Sequence, residues 1–124
     1  MRGNLLIHGD NLAALRSLHA SHEGAVRLVY LDPPYNTGNT FDHYDDDVAH
    51  EEWLAFMRER LQAVVPLLAP DAAVLVQIDR AEAAYLKVLL DEVLGRKHFV
   101  TTIAVRMSAT SGFKIEHTDK TIVK

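Results

Sequence analysis

Short apolar runs alternate with helix-forming segments along this chain of 124 residues. The runs cover residues 4–8, 26–31, 72–78 and 99–105, and apolar residues dominate both faces that each strand would present. Leu, Met and Val recur at helical spacing in the segments between them. Strands buried on both faces and joined by short helices predict an α/β fold with a doubly wound, mainly parallel sheet.

The ends of the predicted helices carry recognisable signals. Pro66 kinks or ends a helix predicted over residues 51–65, because proline removes an amide donor and clashes with the preceding turn. Asp79 and Glu82 form a capping-box-like start for the next helix. Beyond Met107 the pattern dissolves into Ser, Thr, Gly and Lys, so no further regular element is predicted there.

The composition excludes several classes of site. No cysteine is present, so disulfides and Cys-ligated metals are excluded. His19 and His22 stand near a helix end without an evident third ligand, so we expect no metal. We also expect a cytoplasmic protein without a membrane partner, because no signal-peptide pattern and no apolar run of membrane length is present.

Charge is distributed unevenly along the chain, although the net charge is only -4. Residues 95–124 hold six Lys or Arg against two acidic residues, whereas the residues before them hold 7 basic and 15 acidic residues. This asymmetry predicts that the C-terminal end faces a polyanion, with Lys114 and Lys120 as candidate contacts. The alternative is that these lysines form an ordinary solvated surface.

Polar clusters follow three of the predicted strands at the end where open α/β sheets bind ligands. Residues 9–11 (Gly-Asp-Asn) follow the first strand, residues 32–38 follow the second and Asp79 follows the third. The two prolines in the second cluster fix the backbone and remove two donors, so nearby carbonyls and the Asp32 carboxylate form an acceptor-only site. With an aromatic ring beside it, this cluster predicts a pocket for an aromatic amine, or alternatively a rigid turn with an exposed tyrosine.

The same residues resemble the catalytic motif of DNA amino-methyltransferases. The motif is Asp-Pro-Pro-Tyr at residues 32–35, and its Asn-Thr-Gly extension at residues 36–38 is typical of the modification subunits of type III restriction systems. Further similarity follows in the same order along the chain at residues 4–12, 53–61, 78–86 and 95–100.

This resemblance implies a Rossmann-like methyltransferase domain that takes S-adenosylmethionine as its cofactor and double-stranded DNA as its partner, with the target base flipped out. It also leaves open a homodimer and a restriction subunit. The catalytic residues that it implies are Asp32, Pro33, Pro34 and Tyr35. The cofactor contacts that it implies are Asp10, Asn11 and Asp32. The nucleic-acid contacts that we expect are Asn36, Thr37, Lys114 and Lys120.

The first motif residue bears on the substrate. Asp at position 32 favours adenine, since cytosine amino-methyltransferases more often carry Ser there. Methyltransferases of RNA or of protein glutamine use a related motif, usually with Asn at that position, and they remain an alternative.

One expected feature of the family is missing from the sequence. No glycine pair has the Phe-x-Gly-x-Gly spacing of the turn that holds the methionine part of the cofactor. We therefore expect residues 1–107 to be the catalytic part of the methyltransferase domain, and residues 108–124 to lead towards a target-recognition region of a longer protein. On its own, the chain is expected to be a truncated piece without activity, and an inactive folded fragment is the alternative function.

Overall fold

The structure is a computed structural model that describes residues 3–37 and 49–105, together with the backbone of residues 40–41, 44–45, 106 and 117–123. Within these ranges the chain forms three α-helices, which are α1 (Asn11–His22), α2 (His50–Val64) and α3 (Ala83–Leu90). The strands in the same ranges are β1 (Val26–Leu31), β2 (Thr40–Phe41), β3 (Tyr44–Asp45), β4 (Leu68–Asp79), β5 (Phe99–Arg106) and β6 (His117–Val123). None of the described helices is long and apolar enough to cross a lipid bilayer.

Four of these strands form one sheet in the order β1-β4-β6-β5. Strands β1 and β4 run parallel, and Leu31 lies beside Val76 in their ladder. Strand β6 runs antiparallel to both β4 and β5, so three of the four strands point the same way. The predicted α/β fold with a mainly parallel sheet is confirmed. Strands β2 and β3 pair separately as a short antiparallel ribbon.

The core lies between one face of this sheet and helices α2 and α3. Strand β4 directs every second side chain into it, namely Val74, Val76 and Ile78. The two helices contribute Trp53, Met57, Leu61, Leu86, Leu89 and Leu90 to the same cluster. Side chains of the opposite alternation remain accessible, and Tyr30 on β1 is 52% exposed. In the described part of the chain, α2 and α3 therefore cover one face of the sheet.

Two segments differ from their predicted structure. Residues 4–8 form no strand, and Leu6 is 95% exposed, because apolar composition makes a strand only where a neighbour supplies the ladder. Strand β6 was not predicted, because its sequence His-Thr-Asp-Lys-Thr-Ile-Val lacks an apolar run. It pairs with β4 on one side and β5 on the other, so sheet pairing rather than local sequence decides its conformation.

The predicted capping box before α3 is also wrong. The Asp79 carboxylate accepts a hydrogen bond from the Ala81 amide at 2.6 Å, but the helix begins later, at Ala83. Glu82 becomes the residue that precedes the helix, and its side chain makes no capping bond. By contrast, the prediction that Pro66 stops α2 is confirmed, since the helix ends at Val64 and a single 3-10 turn follows.

Two substitutions on α3 test the position of the core. Leu86 is 0% exposed and Val88 is 57% exposed, although both lie on the same short helix. We expect Leu86→Ala to lower the free energy of unfolding by about 2–5 kcal/mol, through lost burial and the cavity that remains. Val88→Ala is the control and should change it by less than about 0.5 kcal/mol. Urea unfolding of both variants measures the difference, and equal losses would contradict this packing of α3.

Candidate active site

The motif loop, which we define as residues 32–37, leaves the sheet where the two parallel strands end. Asp32 directly follows the last residue of β1, and β4 runs beside β1 in the same direction and ends at Asp79. The turn from Arg80 to Glu82 then leads into α3. Because the carboxyl ends of parallel strands meet at one edge, this edge is where ligands are expected in such a sheet.

A row of hydrogen bonds connects the motif loop to β4. The Tyr35 hydroxyl donates to the Asp32 carboxylate at 2.9 Å. The Gln77 side-chain amide donates to the Tyr35 hydroxyl oxygen, and its carbonyl accepts from the Tyr30 hydroxyl. Gln77 therefore fixes the direction in which the Tyr35 hydroxyl proton points. Asp32 itself is exposed, so its carboxylate is accessible to a ligand.

The pKa of Tyr35 is raised to about 12, because burial and the neighbouring Asp32 carboxylate outweigh the lowering effect of the Gln77 hydrogen bond. The hydroxyl consequently stays protonated at neutral pH and acts as a donor to Asp32 rather than as a base. The ring is partly buried and packs against the hydrophobic core, which holds it in place beside the carboxylate.

Helix α2 holds the middle of the motif loop. The Trp53 indole N–H donates to the Pro34 carbonyl at 2.8 Å, and the Trp53 side chain is only 1% exposed. Because the indole is fixed in the core, this hydrogen bond fixes the position of the Pro34 carbonyl relative to α2. The same indole belongs to the hydrophobic core cluster.

A buried carboxyl group holds the end of the motif loop. The Asn36 side-chain amide donates to Glu82 Oε1 at 2.8 Å, and His50 Nδ1 lies 2.8 Å from Glu82 Oε2. Glu82 is only 5% exposed, so it is a buried carboxyl group at the ligand edge of the sheet. Sequence reasoning assigned Glu82 only to a helix cap, although its place in the turn after β4, at the ligand edge, was a usable signal.

Asp10 and Asn11 form a second group, which Arg60 of α2 holds. Asp10 caps α1 by accepting from the Ala13 amide at 3.0 Å. The Arg60 guanidinium bonds Asp10 at 3.1 Å and Asn11 at 2.7 Å, and it lies 3.4 Å above the Phe56 ring. The Ala13 amide and the Arg60 charge lower the pKa of Asp10. Sequence reasoning missed Arg60, whose partners lie about fifty residues away along the chain.

The other predicted contacts have different outcomes. Thr37 lies half-buried at the end of the motif loop. Lys114 lies outside the described residues, and Lys120 is described only as backbone of β6. His19 has a structural partner, because its Nε2 donates to the Ala63 carbonyl at 2.7 Å and so joins α1 to α2. Among the described residues, no group of three His, Cys, Asp or Glu side chains could hold a metal ion.

Known proteins resemble this chain in sequence over most of its length. Residues 26–123 match a family described as DNA methylase. The chain is 45% identical over 111 residues to a protein of Haemophilus influenzae named "Probable type III restriction-modification enzyme HindVI Mod subunit", an alignment that covers 88% of this chain and 15% of that protein. It is 33% identical over 105 residues to the type II methyltransferase M.KpnI of Klebsiella pneumoniae, covering 78% of this chain and 25% of the relative. The chain therefore spans a quarter or less of the length of these relatives.

Solved structures share the fold at lower sequence identity. The PvuII DNA methyltransferase, named as cytosine-N4-specific, superposes with a TM-score of 0.62 at 17% identity, covering 92% of this chain and 46% of that one. A protein of Thermus thermophilus named as a DNA modification methylase gives a TM-score of 0.61 at 20% identity, covering 89% of this chain and 49% of that one. At these identities the likeness establishes the fold alone.

The charge on Asp10 gives a testable dependence of stability on pH. The pKa of Asp10 is lowered from its ordinary value of 3.8, so its contribution to stability is fully present above that value and is lost as the pH falls through the folded-state pKa. We expect Asp10→Ala to lower the melting temperature at neutral pH, and this loss should shrink as the pH falls below 3.8. Asp71→Ala is the matched control, since the Asp71 side chain is 60% exposed and that of Asp10 is 59% exposed. A pH-independent loss for Asp10→Ala would contradict the assigned role.

Proposed function

The chain belongs to the DNA methylase family, and on that premise we propose that it carries the catalytic residues of a DNA methyltransferase acting on the exocyclic amino group of adenine. The observation that supports this most directly is the exposed Asp32 carboxylate at the end of β1, with the Tyr35 hydroxyl fixed 2.9 Å from it. The whole protein's activity and partners form part of the same proposal.

The chemistry needs hydrogen-bond acceptors for an amino group. The lone pair of an aromatic amine is delocalised into its ring, which makes the nitrogen a poor nucleophile. Hydrogen bonds from its N–H groups to the Asp32 carboxylate and the Pro33 carbonyl would localise that lone pair. Pro33 and Pro34 add no competing amide donors to the motif loop. Positioning and electrostatics of this kind account for most of the catalysis that such a site can supply.

The carboxylates of the chain suit the proposed cofactor. S-adenosylmethionine supplies an electrophilic methyl group on a positively charged sulfur. Its amino and hydroxyl groups are donors, and the proposed contacts Asp10, Asn11 and Asp32 offer oxygen acceptors. Arg60 holds the Asp10 and Asn11 side chains in place, and the Ala13 amide and the Arg60 charge lower the pKa of Asp10. Because the sequence has no Phe-x-Gly-x-Gly turn, we propose that residues outside this chain complete the cofactor site.

The target base must leave the duplex to reach Asp32, and the Tyr35 ring is the proposed surface on which it stacks.

The proposed nucleic-acid contacts outside the catalytic residues are Asn36, Thr37, Lys114 and Lys120. Because the Asn36 side-chain amide already donates to Glu82, Asn36 would contact DNA through its other polar groups. Double-stranded DNA is the proposed substrate, and a homodimer, a restriction subunit and a cytoplasmic location belong to the same proposal.

Cytosine N4 is the second candidate target. The PvuII enzyme, which shares the fold, is named as cytosine-N4-specific. Adenine is favoured here because position 32 is Asp rather than the Ser that we associate with cytosine enzymes. The two targets give different products, so one assay separates them.

Asp32→Ala tests the proposed catalytic site in the intact protein that contains these residues. Removing a charge-assisted acceptor from a preorganised site should lower the single-turnover rate by roughly a hundredfold or more. Cofactor affinity should fall much less, because the other two proposed contacts, Asp10 and Asn11, remain. Transfer of a radiolabelled methyl group to DNA gives the rate, and chromatography of the digested nucleosides identifies N6-methyladenine or N4-methylcytosine. Asp71→Ala removes an exposed carboxylate elsewhere and serves as the control. An unchanged rate with lost cofactor binding would show that Asp32 has another role.

Two substitutions of Tyr35 separate its ring from its hydroxyl. Stacking needs the ring, so Tyr35→Ala should weaken the flipped-base state by roughly 1–3 kcal/mol, whereas Tyr35→Phe keeps the ring and removes only the hydroxyl's hydrogen bonds with Asp32 and Gln77. Fluorescence of 2-aminopurine at the target position reports how much of the base is flipped. Equal damage from both substitutions would assign the main role to the hydroxyl.

A further inference from the structure

We propose that Glu82 is a positioning residue for the methyl-transfer reaction, acting through Asn36 to fix the motif loop that carries Asp32 and Tyr35. This inference rests on the proposed function and adds to it a residue that lies outside the motif. Glu82 is 46 residues from Asn36 in sequence and reaches the site only through the fold.

The contacts of Glu82 are those of a buried group with a specific task. A carboxyl group that is 5% exposed loses most of its hydration, which is costly unless partners replace the water. Here the Asn36 amide donates to Oε1 at 2.8 Å, and His50 Nδ1 lies 3.1 Å from Oε1 and 2.8 Å from Oε2. These partners come from the motif loop and from the first residue of α2, so one side chain joins three parts of the structure.

The backbone of Asn36 shows what this bond does. Asn36 has φ of 56°, which lies in the left-handed region that residues other than glycine rarely adopt. Asparagine tolerates this region better than most residues, but the conformation still has competitors. A hydrogen bond from the Asn36 side chain to a fixed, buried acceptor favours the left-handed conformation over those competitors. The chain direction directly after Tyr35 is therefore set by Glu82.

Tyr35 consequently lies between two anchored positions. On its N-terminal side, the Trp53 indole holds the Pro34 carbonyl at 2.8 Å. On its C-terminal side, Glu82 holds Asn36. With both neighbours fixed, the Tyr35 ring has little freedom to tilt, and its hydroxyl stays on Asp32. Reactions that depend on positioning are sensitive to displacements of about 1 Å, which can lower rates by about a hundredfold.

The test uses the intact protein, four single variants and the double variant that combines Glu82→Ala with Asn36→Gly. Glu82→Ala removes the acceptor, Glu82→Gln keeps an oxygen that can accept from Asn36, and Asn36→Gly removes the amide but suits the left-handed backbone. Glu92→Ala is the matched control, because Glu92 is an exposed glutamate that pairs with Arg58. The kcat at saturating DNA and cofactor, the cofactor Kd and the free energy of unfolding are measured for each variant.

We expect Glu82→Ala and Asn36→Gly each to lower kcat by roughly ten- to a hundredfold without changing cofactor affinity. Glu82→Gln should restore most of the rate, and the double variant should be no slower than the slower single variant, since both act on one bond. Glu92→Ala should leave kcat unchanged. If Glu82→Ala fails to fold, Asn36→Gly and Glu82→Gln still decide the outcome. A normal kcat for Asn36→Gly would overturn the proposal.

Hydrogen exchange followed by mass spectrometry tests the same bond without any assay of activity. The motif loop has backbone amides at Asp32, Tyr35, Asn36 and Thr37, since the two prolines have none. We expect faster exchange of these amides in Asn36→Gly and Glu82→Ala than in the wild type and in Glu92→Ala. If the wild type transferred no methyl group, the proposed function would be wrong, but the exchange rates would still test whether the Glu82–Asn36 hydrogen bond fixes the motif loop. Unchanged exchange in both variants would show that Glu82 does not fix the loop.

Discussion

The parallel pairing of β1 with β4 is the constraint on which the site depends. Its register sets Leu31 beside Val76, so β1 ends and releases the motif loop while β4 continues to Asp79. Side chains of β4 can then reach across to the motif loop, as Gln77 does in bonding Tyr35. A slip of one residue would turn Gln77 to the opposite face of the sheet and break this connection.

Stability and function share the same packing. The apolar faces of α2 and α3 bury Trp53, Met57, Leu61, Leu86, Leu89 and Leu90 against β4. That burial is non-directional and serves to hold the helices on the sheet. The same helices carry directional groups at the ends nearest the motif loop, namely His50 and Trp53 at the start of α2 and Glu82 directly before α3. The core therefore supplies the rigidity that a site built on positioning requires.

The polar groups around the site have hydrogen-bond partners. Among the described residues, no buried side-chain nitrogen or oxygen lacks a hydrogen-bond partner. Glu82 has donors from Asn36 and His50, and Asp10 has donors from Ala13 and Arg60. The buried network around Glu82 specifies one arrangement, because any alternative would leave a desolvated group unpaired. The exposed Asp32 therefore lies in a region that these hydrogen bonds hold in one conformation.

The sequence alone determined the elements that depend only on neighbouring residues. The apolar run of β1 and the stop of α2 before Pro66 follow from neighbouring residues, and the Asp-Pro-Pro-Tyr motif at residues 32–35 indicated the site and the family. Only the tertiary structure decided the rest. Strand β6 exists because β4 and β5 flank it, and residues 4–8 form no strand despite their apolar side chains. Glu82 and Arg60 joined the site for the same reason, since their partners lie 46 and about fifty residues away along the chain, where sequence periodicity carries no information about contact.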